Sequence, residues 1–262
     1  MNCVDERKSI QKSYYPLSFG YLVSYAQKQG LVFRHGYAEH VNLSLLESFK
    51  PDVVALTCIT ENYPLAERYA RLVKMYNSKV KVIIGGVHIS AVPSSLSEYM
   101  DVGIIGEGER TFYELAECNF EANPSIAGLV YKGTVTADRG LIEPLDSIPF
   151  PDRGIYADRF HQRPHYVFTS RGCCYRCKFC FSSRFWRKVR FHSPEYVADE
   201  LRQVHYTFGA NHVNIYDDLF IMDFERVKRI AELVKPLRMT YSIAARANMI
   251  KTRSRRFSKI WE

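Results

Sequence analysis

Apolar residues in the first half of the chain follow two different spacings. Unbroken apolar runs are typical of strands buried on both faces of a parallel sheet, whereas apolar residues at three-to-four spacing are typical of amphipathic helices. The runs predict strands at residues 53–57, 80–84 and 102–105, and a weaker one at 31–37. The periodic stretches predict helices at residues 16–30, 65–76, 94–99 and 110–118. Strands that alternate with helices in this way predict βαβ units in a doubly wound α/β sheet.

The second half repeats this alternation after a hairpin and a linker. Residues 128–135 predict the hairpin, and three prolines between 141 and 151 indicate the linker, so we predict domains at residues 1–150 and 151–262. Apolar runs predict strands at residues 166–170, 212–216 and 239–244. Two helices are predicted between them, at residues 194–208 and 223–235. The first has Ser193 at its cap, Pro194 at its first position and Gly209 after its end, which is a strong combination of start and stop signals.

Composition narrows the class of protein. Hydrophobic residues make up 47% and charged residues 24%, which is typical of a globular protein and excludes a disordered tail, a collagen or a coiled coil. No apolar run approaches the ~20 residues of a membrane span, and the polar N-terminus lacks the apolar core of a signal peptide. We therefore expect no membrane partner and a cytoplasmic location.

The net charge of +8 is unevenly distributed. Residues 1–152 carry 14 Lys and Arg against 18 Asp and Glu, whereas residues 153–262 carry 22 against 10. The basic half could attract nucleic acid or a phosphorylated substrate, although a solvated basic face with a basic tail at 251–259 explains the same count.

The cysteines predict a metal site. They lie at positions 3, 58, 118, 173, 174, 177 and 180. An odd total and tight spacing argue against a disulfide framework. Cys173, Cys177 and Cys180 follow a C-x3-C-x2-C spacing after a predicted strand, and three thiolates can hold three irons of a 4Fe–4S cluster. The fourth iron would stay open; structural zinc would require a fourth ligand that is not obvious here.

At this motif the chain resembles the radical S-adenosylmethionine (SAM) superfamily. The resemblance implies that SAM binds the open iron and that Phe179 lies near its adenine, with Cys174 a bystander. It also implies that Asp217 and Asp218 bind the SAM amino group or ribose, the alternative being a pair of acids that cap the following loop. Arg246 could meet the SAM carboxylate through bidentate hydrogen bonds, or be an ordinary surface arginine.

The first half resembles the cobalamin-binding domain that is fused to many radical SAM enzymes. The resemblance rests on the string at residues 50–60 and on the turns at 85–88 and 106–109. The implied cofactor-binding residues lie at the ends of successive strands: Thr57, Gly85, Gly86, Gly106 and Gly108. A double glycine at a strand end lets the backbone approach a bulky ligand closely, although a plain turn would look the same.

One departure concerns histidine. Cobalamin domains that ligate cobalt carry Asp-x-His-x-x-Gly after the first strand, and this sequence has no histidine before His35. His88 follows the wrong strand. Any bound cobalamin is therefore expected to have no protein histidine on its cobalt; loss of the cofactor from a degenerate domain is the alternative.

Neither the beginning nor the end of this sequence has the strands expected of a complete enzyme of this type. Residues 1–13 are too polar for the first strand of the flavodoxin-like order 2-1-3-4-5. Residues from 166 onward supply three strands, half of the six in the superfamily's partial (β/α) barrel. The sequence therefore predicts a chain truncated within the barrel, which alone would not turn over because its pocket would be open to solvent.

The resemblance implies a radical SAM enzyme with a 4Fe–4S cluster, SAM and cobalamin, which transfers a methyl group to an unreactive carbon. Its expected partners are a small-molecule substrate and an electron donor such as flavodoxin or ferredoxin, and not nucleic acid. The alternatives are a radical SAM cyclase or RNA-modifying enzyme, a zinc-stabilised nucleic-acid-binding module, and an inactive fragment.

Overall fold

The computed structural model describes residues 15–156 and 165–251, with only the backbone at 250 and 251. These residues form two compact units, one of residues 15–141 with 149–156 and the other of residues 142–148 with 165–251. The division at 150/151 stays a prediction of where the domains separate. The expectations for residues 1–13, for Cys3 and for the tail from 252 onward lie outside the described residues.

The first unit is built on a five-stranded sheet in the order β1-β2-β3-β4-β5. Strands β1 (Val53–Thr57), β2 (Lys81–Gly85) and β3 (Val102–Ile104) are parallel, and β4 (Leu129–Tyr131) pairs antiparallel with β3 and with β5 (Thr134–Val135). The last residues of β1 and β2, Thr57 and Gly85, lie opposite each other. The predicted strands at 53–57, 80–84 and 102–105 and the hairpin are confirmed.

Helices cover both faces of this sheet. They are α1 (Leu17–Lys28), α2 (Leu43–Phe49), α3 (Tyr63–Tyr76), α4 (Val87–Ala91) and α5 (Glu109–Glu117). In β2, Val82 and Ile84 pack in one core cluster with residues of α2, α3 and α4, whereas Ile83 packs in another with residues of α1 and α5. Because successive strand residues point to opposite faces, both faces of β2 are buried, as a doubly wound sheet requires. The predicted fold class is confirmed.

Two predicted elements of this unit are wrong. Residues 31–37 form no strand, because an extended segment becomes a strand only by backbone pairing and no described strand pairs with it. Residues 94–99 form no helix; the helix is the earlier α4, and residues 93–95 make a single 3₁₀ turn. Pro93 explains the early end, since a proline has no N–H and keeps the preceding residue, Val92, away from helical geometry.

The second unit contains a three-stranded parallel sheet in the order β10-β9-β6. Its strands are β6 (His165–Val167), β9 (His212–Ile215) and β10 (Thr240–Ile243), and α7 (Pro194–Phe208) and α8 (Phe224–Val234) connect them. One face of the sheet packs against both helices through Val167, Val213 and Ile215. The predicted strand–helix alternation is confirmed.

Four short elements of this unit were not predicted as such. They are β7 (Ser170–Arg171), α6 (Ser182–Trp186) and β8 (Arg190–Phe191), followed near the end of the described chain by α9 (Ala247–Lys251). The strand predicted at 166–170 is divided between β6 and β7, which belong to different sheets. Across the described residues, none of the helices has the length and apolar character that crossing a membrane would take.

Candidate functional site

The carboxyl ends of β1, β2 and β3 bring three loops of the first unit to one edge of its sheet. The Cys58 amide donates to the Gly85 carbonyl at 3.3 Å, and the Gly106 amide donates to Ser90 Oγ at 2.9 Å. His88 Nδ1 lies 3.1 Å from Thr60 Oγ1. Hydrogen bonds therefore link the loops that follow all three strands.

The glycines at this edge differ in backbone conformation and in the space around them. Gly86 has φ +101°, and a Cβ there would lie 2.7 Å from the Cys58 carbonyl oxygen and 2.9 Å from Thr57 Oγ1, so the chain itself requires a glycine. At Gly85 and Gly106 an added Cβ would meet no atom within 4 Å. Gly108 is the N-cap of α5, where a Cβ would make ordinary contact with Leu22. The open space at Gly85 and Gly106 is what a ligand approaching the edge could use.

His88 is a buried structural residue of this edge. Its Nδ1 meets Thr60 Oγ1 and its Nε2 lies 3.0 Å from Ser95 Oγ, while its ring centroid is 4.3 Å from that of Tyr63. Burial lowers the pKa of His88, so the ring is neutral near pH 7. With both nitrogens engaged by hydroxyl groups, His88 has no nitrogen to offer a metal in this conformation.

The cysteine motif of the second unit lies on a loop whose two ends are held together. Strands β7 and β8 pair antiparallel, with Ser170 opposite Phe191. Gly172 begins the loop with φ +102°, and any Cβ there would collide with the Lys188 carbonyl. Trp186, the last residue of α6, lies between two buried arginines of the ladder, 5.3 Å from Arg171 and 5.7 Å from Arg190. The loop is therefore anchored at its base.

The three cysteines of the motif are partly buried, whereas Cys174 is exposed. All six described cysteines are free thiols. Burial raises the pKa of Cys173, and the nearby Asp218 carboxylate and the thiols of Cys174 and Cys180 raise it further. The Nη1 atom of Arg246 lies 3.6 Å from Cys177 Sγ. A guanidinium therefore lies near one of the three thiols of the motif.

This donor set suits a cluster better than a single ion. In the chain as described, no three His, Cys, Asp or Glu side chains converge as ligands of one metal ion would. Soft thiolate ligands suit iron–sulfur chemistry, and three of them would hold three irons of a 4Fe–4S cluster. Three free thiols on one anchored loop, with a cation beside them, fit such a group.

The two neighbouring acids after β9 have different surroundings. Asp217 is 3% exposed, and its carboxylate accepts hydrogen bonds from Thr169 and Ser170 just ahead of the loop. Asp218 accepts a hydrogen bond from Ser182 Oγ at the start of α6 and lies close enough to Cys173 to raise its pKa. Of the two acids, only Asp218 is among the groups that raise the pKa of Cys173.

Two further predicted residues lie on or beside the loop. Phe179 is 95% exposed. The guanidinium of Arg246 stacks 3.9 Å from the centroid of the Tyr175 ring, whose hydroxyl accepts a hydrogen bond from Asn248 Nδ2 at 3.0 Å. The structure therefore brings Arg246, Asp218 and the cysteines together. Sequence reasoning missed Tyr175, a polar aromatic within the motif whose position between two cysteines was the available signal.

Comparison with known families covers both units. A B12 binding domain family matches residues 15–116, and the radical SAM superfamily matches residues 167–259. The chain is a radical SAM superfamily protein with a B12-binding domain. The sheet edge with Thr57, Gly85 and Gly106 belongs to the first match, and the cysteine loop belongs to the second.

Curated relatives of this radical SAM protein include methyltransferases and a cyclase. It is 32% identical over 254 residues to the uncharacterized methyltransferase PH0819 of Pyrococcus horikoshii, covering 89% of this chain and 55% of the relative. It is 31% identical over 193 residues to the cobalamin-dependent radical SAM methyltransferase TokK of Streptomyces tokunonensis, covering 66% and 27%. An anaerobic magnesium-protoporphyrin IX monomethyl ester cyclase of Rubrivivax gelatinosus is 31% identical over 175 residues, covering 60% and 31%.

A solved structure shares the fold. The methyltransferase TsrM of Kitasatospora setae aligns with a TM-score of 0.68 at 16% identity, covering 95% of this chain and 59% of that one. The chain spans about half the length, or less, of the relatives it matches.

Proposed function

We propose that this radical SAM protein serves a methyl transfer from cobalamin to an unreactive carbon of a small molecule. The observation that carries the proposal is the anchored loop with three free, partly buried thiols, in a chain whose other unit is a B12-binding domain. Its similarity to PH0819 and TokK supports methyl transfer as the reaction.

Cys173, Cys177 and Cys180 are the proposed cluster ligands, and their open coordination position is the proposed SAM site. Burial and the neighbouring acid keep Cys173 protonated in the metal-free chain, so iron must displace a proton there. When bound, the cluster supplies the electron that cleaves SAM, and methylcobalamin supplies the methyl group.

Three residues around the loop are proposed to orient SAM. Asp218 offers a carboxylate for the amino group or ribose, and Arg246 offers a guanidinium that can pair with a carboxylate in bidentate fashion. Phe179, whose ring is almost fully exposed, offers an apolar face to adenine. Their proximity to the cysteine loop supports these roles.

Cobalamin is proposed to bind at the carboxyl edge of the first sheet. The residues assigned to it are Thr57, Gly85, Gly86, Gly106 and Gly108. Gly85 and Gly106, where an added Cβ would meet no atom within 4 Å, allow backbone contact with a large ligand, and ligands of open α/β sheets bind at this edge. No protein histidine is assigned to cobalt, because the hydroxyl groups of Thr60 and Ser95 hold both nitrogens of His88.

The cluster would need a one-electron reductant from outside the chain. A flavodoxin or ferredoxin is the proposed donor, and the cytoplasm, where thiols stay reduced, is the proposed location. Ring formation is the second candidate reaction, favoured by the similarity to the Rubrivivax cyclase.

Anaerobic reconstitution with iron and sulfide tests the proposal. The full chain is expected to take up about four irons and four sulfides, in keeping with one cluster held by cysteine thiolates. Cys173→Ala, Cys177→Ala and Cys180→Ala should each lose the brown chromophore, whereas the control Cys174→Ala should keep it. Binding of one zinc without sulfide would instead indicate a zinc module, and equal loss in Cys174→Ala would overturn the ligand assignment.

A further inference from the structure

Asp217 holds the first residues of the cysteine loop through four hydrogen bonds. Its Oδ1 accepts from the Thr169 amide at 2.6 Å and from the Ser170 amide at 3.1 Å. Its Oδ2 accepts from Thr169 Oγ1 at 2.5 Å and from Ser170 Oγ at 2.7 Å. A carboxylate has about four lone-pair positions, and here each oxygen already receives two donors. Asp217 therefore has no acceptor capacity left for an amino group or a ribose.

Arg226 of α8 binds the backbone at the same point, through the carbonyl group of Thr169. Its Nη2 donates to the Thr169 carbonyl at 2.5 Å, and its Nε donates to the His192 carbonyl at 2.9 Å. The His192 amide also donates to the Thr169 carbonyl, at 3.0 Å. Thr169 precedes β7 and His192 follows β8, so one guanidinium joins the segments that enter and leave the loop.

Both groups are buried in the same unit, where a charge is costly unless it is paired. Asp217 is 3% exposed and Arg226 is 8% exposed. Burial raises the pKa of Asp217, and the positive charge of Arg226 opposes that rise. Both Asp217 oxygens, and the Nε and Nη2 atoms of Arg226, are used on the loop ends. Such an arrangement fixes backbone position rather than contacting a ligand.

We propose that Asp217 and Arg226 are positioning residues that fix both ends of the cysteine loop, and that Asp218, not Asp217, is the member of this pair of acids that is available to SAM. This inference rests on the proposed cluster site. It assigns a non-binding role to Asp217, which the resemblance had paired with Asp218 as a cofactor ligand.

An isosteric substitution distinguishes positioning of the loop by Asp217 from direct binding of SAM by this residue. In Asp217→Asn the remaining oxygen can keep both amide hydrogens, and the new NH₂ group can donate to both hydroxyls, which rotate to accept. A positioning role should therefore survive the change, whereas binding of a SAM amino group would lose its negative partner. Asp217→Ala removes all four acceptor contacts and should abolish the positioning.

Hydrogen exchange of the cluster-free chain measures the positioning directly. Exchange at the Thr169 and Ser170 amides should rise roughly tenfold or more in Asp217→Ala, as expected for losing hydrogen bonds to a charged group, and stay within about threefold in Asp217→Asn. Arg226→Met should raise exchange on both sides of the loop. Arg229→Met is its matched control, because Arg229 lies on the same helix but is exposed and pairs with Glu195.

Reconstituted protein gives the second readout. Asp217→Asn should bind SAM within about threefold of the unaltered chain and keep the paramagnetic resonance spectrum of the reduced cluster, whereas Arg226→Met should change that spectrum. A loss of SAM affinity above tenfold in Asp217→Asn, with exchange unchanged, would overturn the inference in favour of direct SAM binding. Equal effects of Arg226→Met and Arg229→Met on exchange would overturn the role of Arg226.

These results stay separate from the proposed function. If the unaltered chain takes up no cluster, the proposed function fails, while exchange in the cluster-free chain still decides whether the loop ends are held as inferred. If Asp217→Ala does not fold, the comparison of Asp217→Asn with the unaltered chain still decides for or against the positioning role.

Discussion

Alanine substitutions at the two adjacent glycines at the end of β2, Gly85 and Gly86, should have opposite effects on stability and binding. Gly86 has φ +101° and ψ −173°, a backbone region essentially open only to glycine, so Gly86→Ala costs roughly 1–3 kcal/mol in strain. The new Cβ would also press on the Cys58 carbonyl at 2.7 Å, and overpacking of this kind costs about 1–3 kcal/mol. We expect the free energy of unfolding to fall by roughly 2–5 kcal/mol.

Gly85→Ala should leave the fold intact. An added Cβ meets no atom within 4 Å, and replacing a strand glycine by alanine stabilises by about 0.5–1 kcal/mol. The methyl group enters the space at the carboxyl edge, where the proposed ligand would approach. Cobalamin affinity should therefore fall at least about tenfold, the equivalent of 1.4 kcal/mol, without loss of stability.

Urea unfolding followed by circular dichroism measures the first effect, and titration of cobalamin followed by its visible absorbance measures the second. If Gly85→Ala unfolds as easily as Gly86→Ala, the reasoning from open space is wrong. If Gly85→Ala binds cobalamin as well as the unaltered chain, Gly85 does not lie against the ligand. Gly133→Ala is the control for strain away from the edge, because Gly133 also has a positive φ but lies in the hairpin turn.

Three further changes test single residues. His88→Ala should lower the free energy of unfolding by about 1–3 kcal/mol, because two partly buried hydrogen bonds to hydroxyl groups are lost, yet leave the spectrum of bound cobalamin unchanged; a changed cobalt signal would assign His88 to the metal. Asp218→Asn should weaken SAM binding about tenfold at unchanged iron content, and unchanged affinity would exclude Asp218 as a SAM contact. Burial, together with the positive charge of Arg171, lowers the pKa of His192 to about 3. As the pH falls below 6.5, this histidine therefore binds a proton in the unfolded state but not yet in the folded state. Stability should fall by up to about 1.4 kcal/mol per pH unit between pH 6.5 and 4 in urea titrations, and less steeply in His192→Gln; equal slopes would contradict this.

Elements with strong local signals could be predicted from sequence. Ser193 caps α7 through the Tyr196 amide at 3.1 Å, and Gly209 ends the helix with φ +69°, as the start and stop residues indicated. The buried strands of both units were predicted from unbroken runs of apolar residues, which are typical of strands buried in a parallel sheet. Helix α2 was missed although Asn42 caps it, because seven residues carry less than two periods of a helical pattern.

The three thiols of the candidate site were predicted from their spacing, whereas the residues that support the loop were not. Strands β7 and β8 have two residues each, too few for any periodic signal, and they exist because the loop ends are held from outside. Asp217 and Asp218 are adjacent in sequence and indistinguishable by composition, yet one is buried and the other is among the groups that raise the pKa of Cys173. Arg226 lies in an amphipathic helix where an arginine normally indicates a solvent face, so its burial could be known only from packing.

The interleaved order of the two units limits how this protein could be divided or recombined. Residues 142–148 belong to the second unit, where Asp146 accepts hydrogen bonds from His192 and from the Ser193 amide. Residues 149–156 return to the first, where the Gly20 amide donates to the Tyr156 hydroxyl at 3.3 Å. A single cut of the chain anywhere between 142 and 156 therefore separates at least one packed segment from the unit to which it belongs. Recombinant halves that fold independently would have to overlap in sequence, and exchange of these modules between genes would favour crossovers outside this stretch.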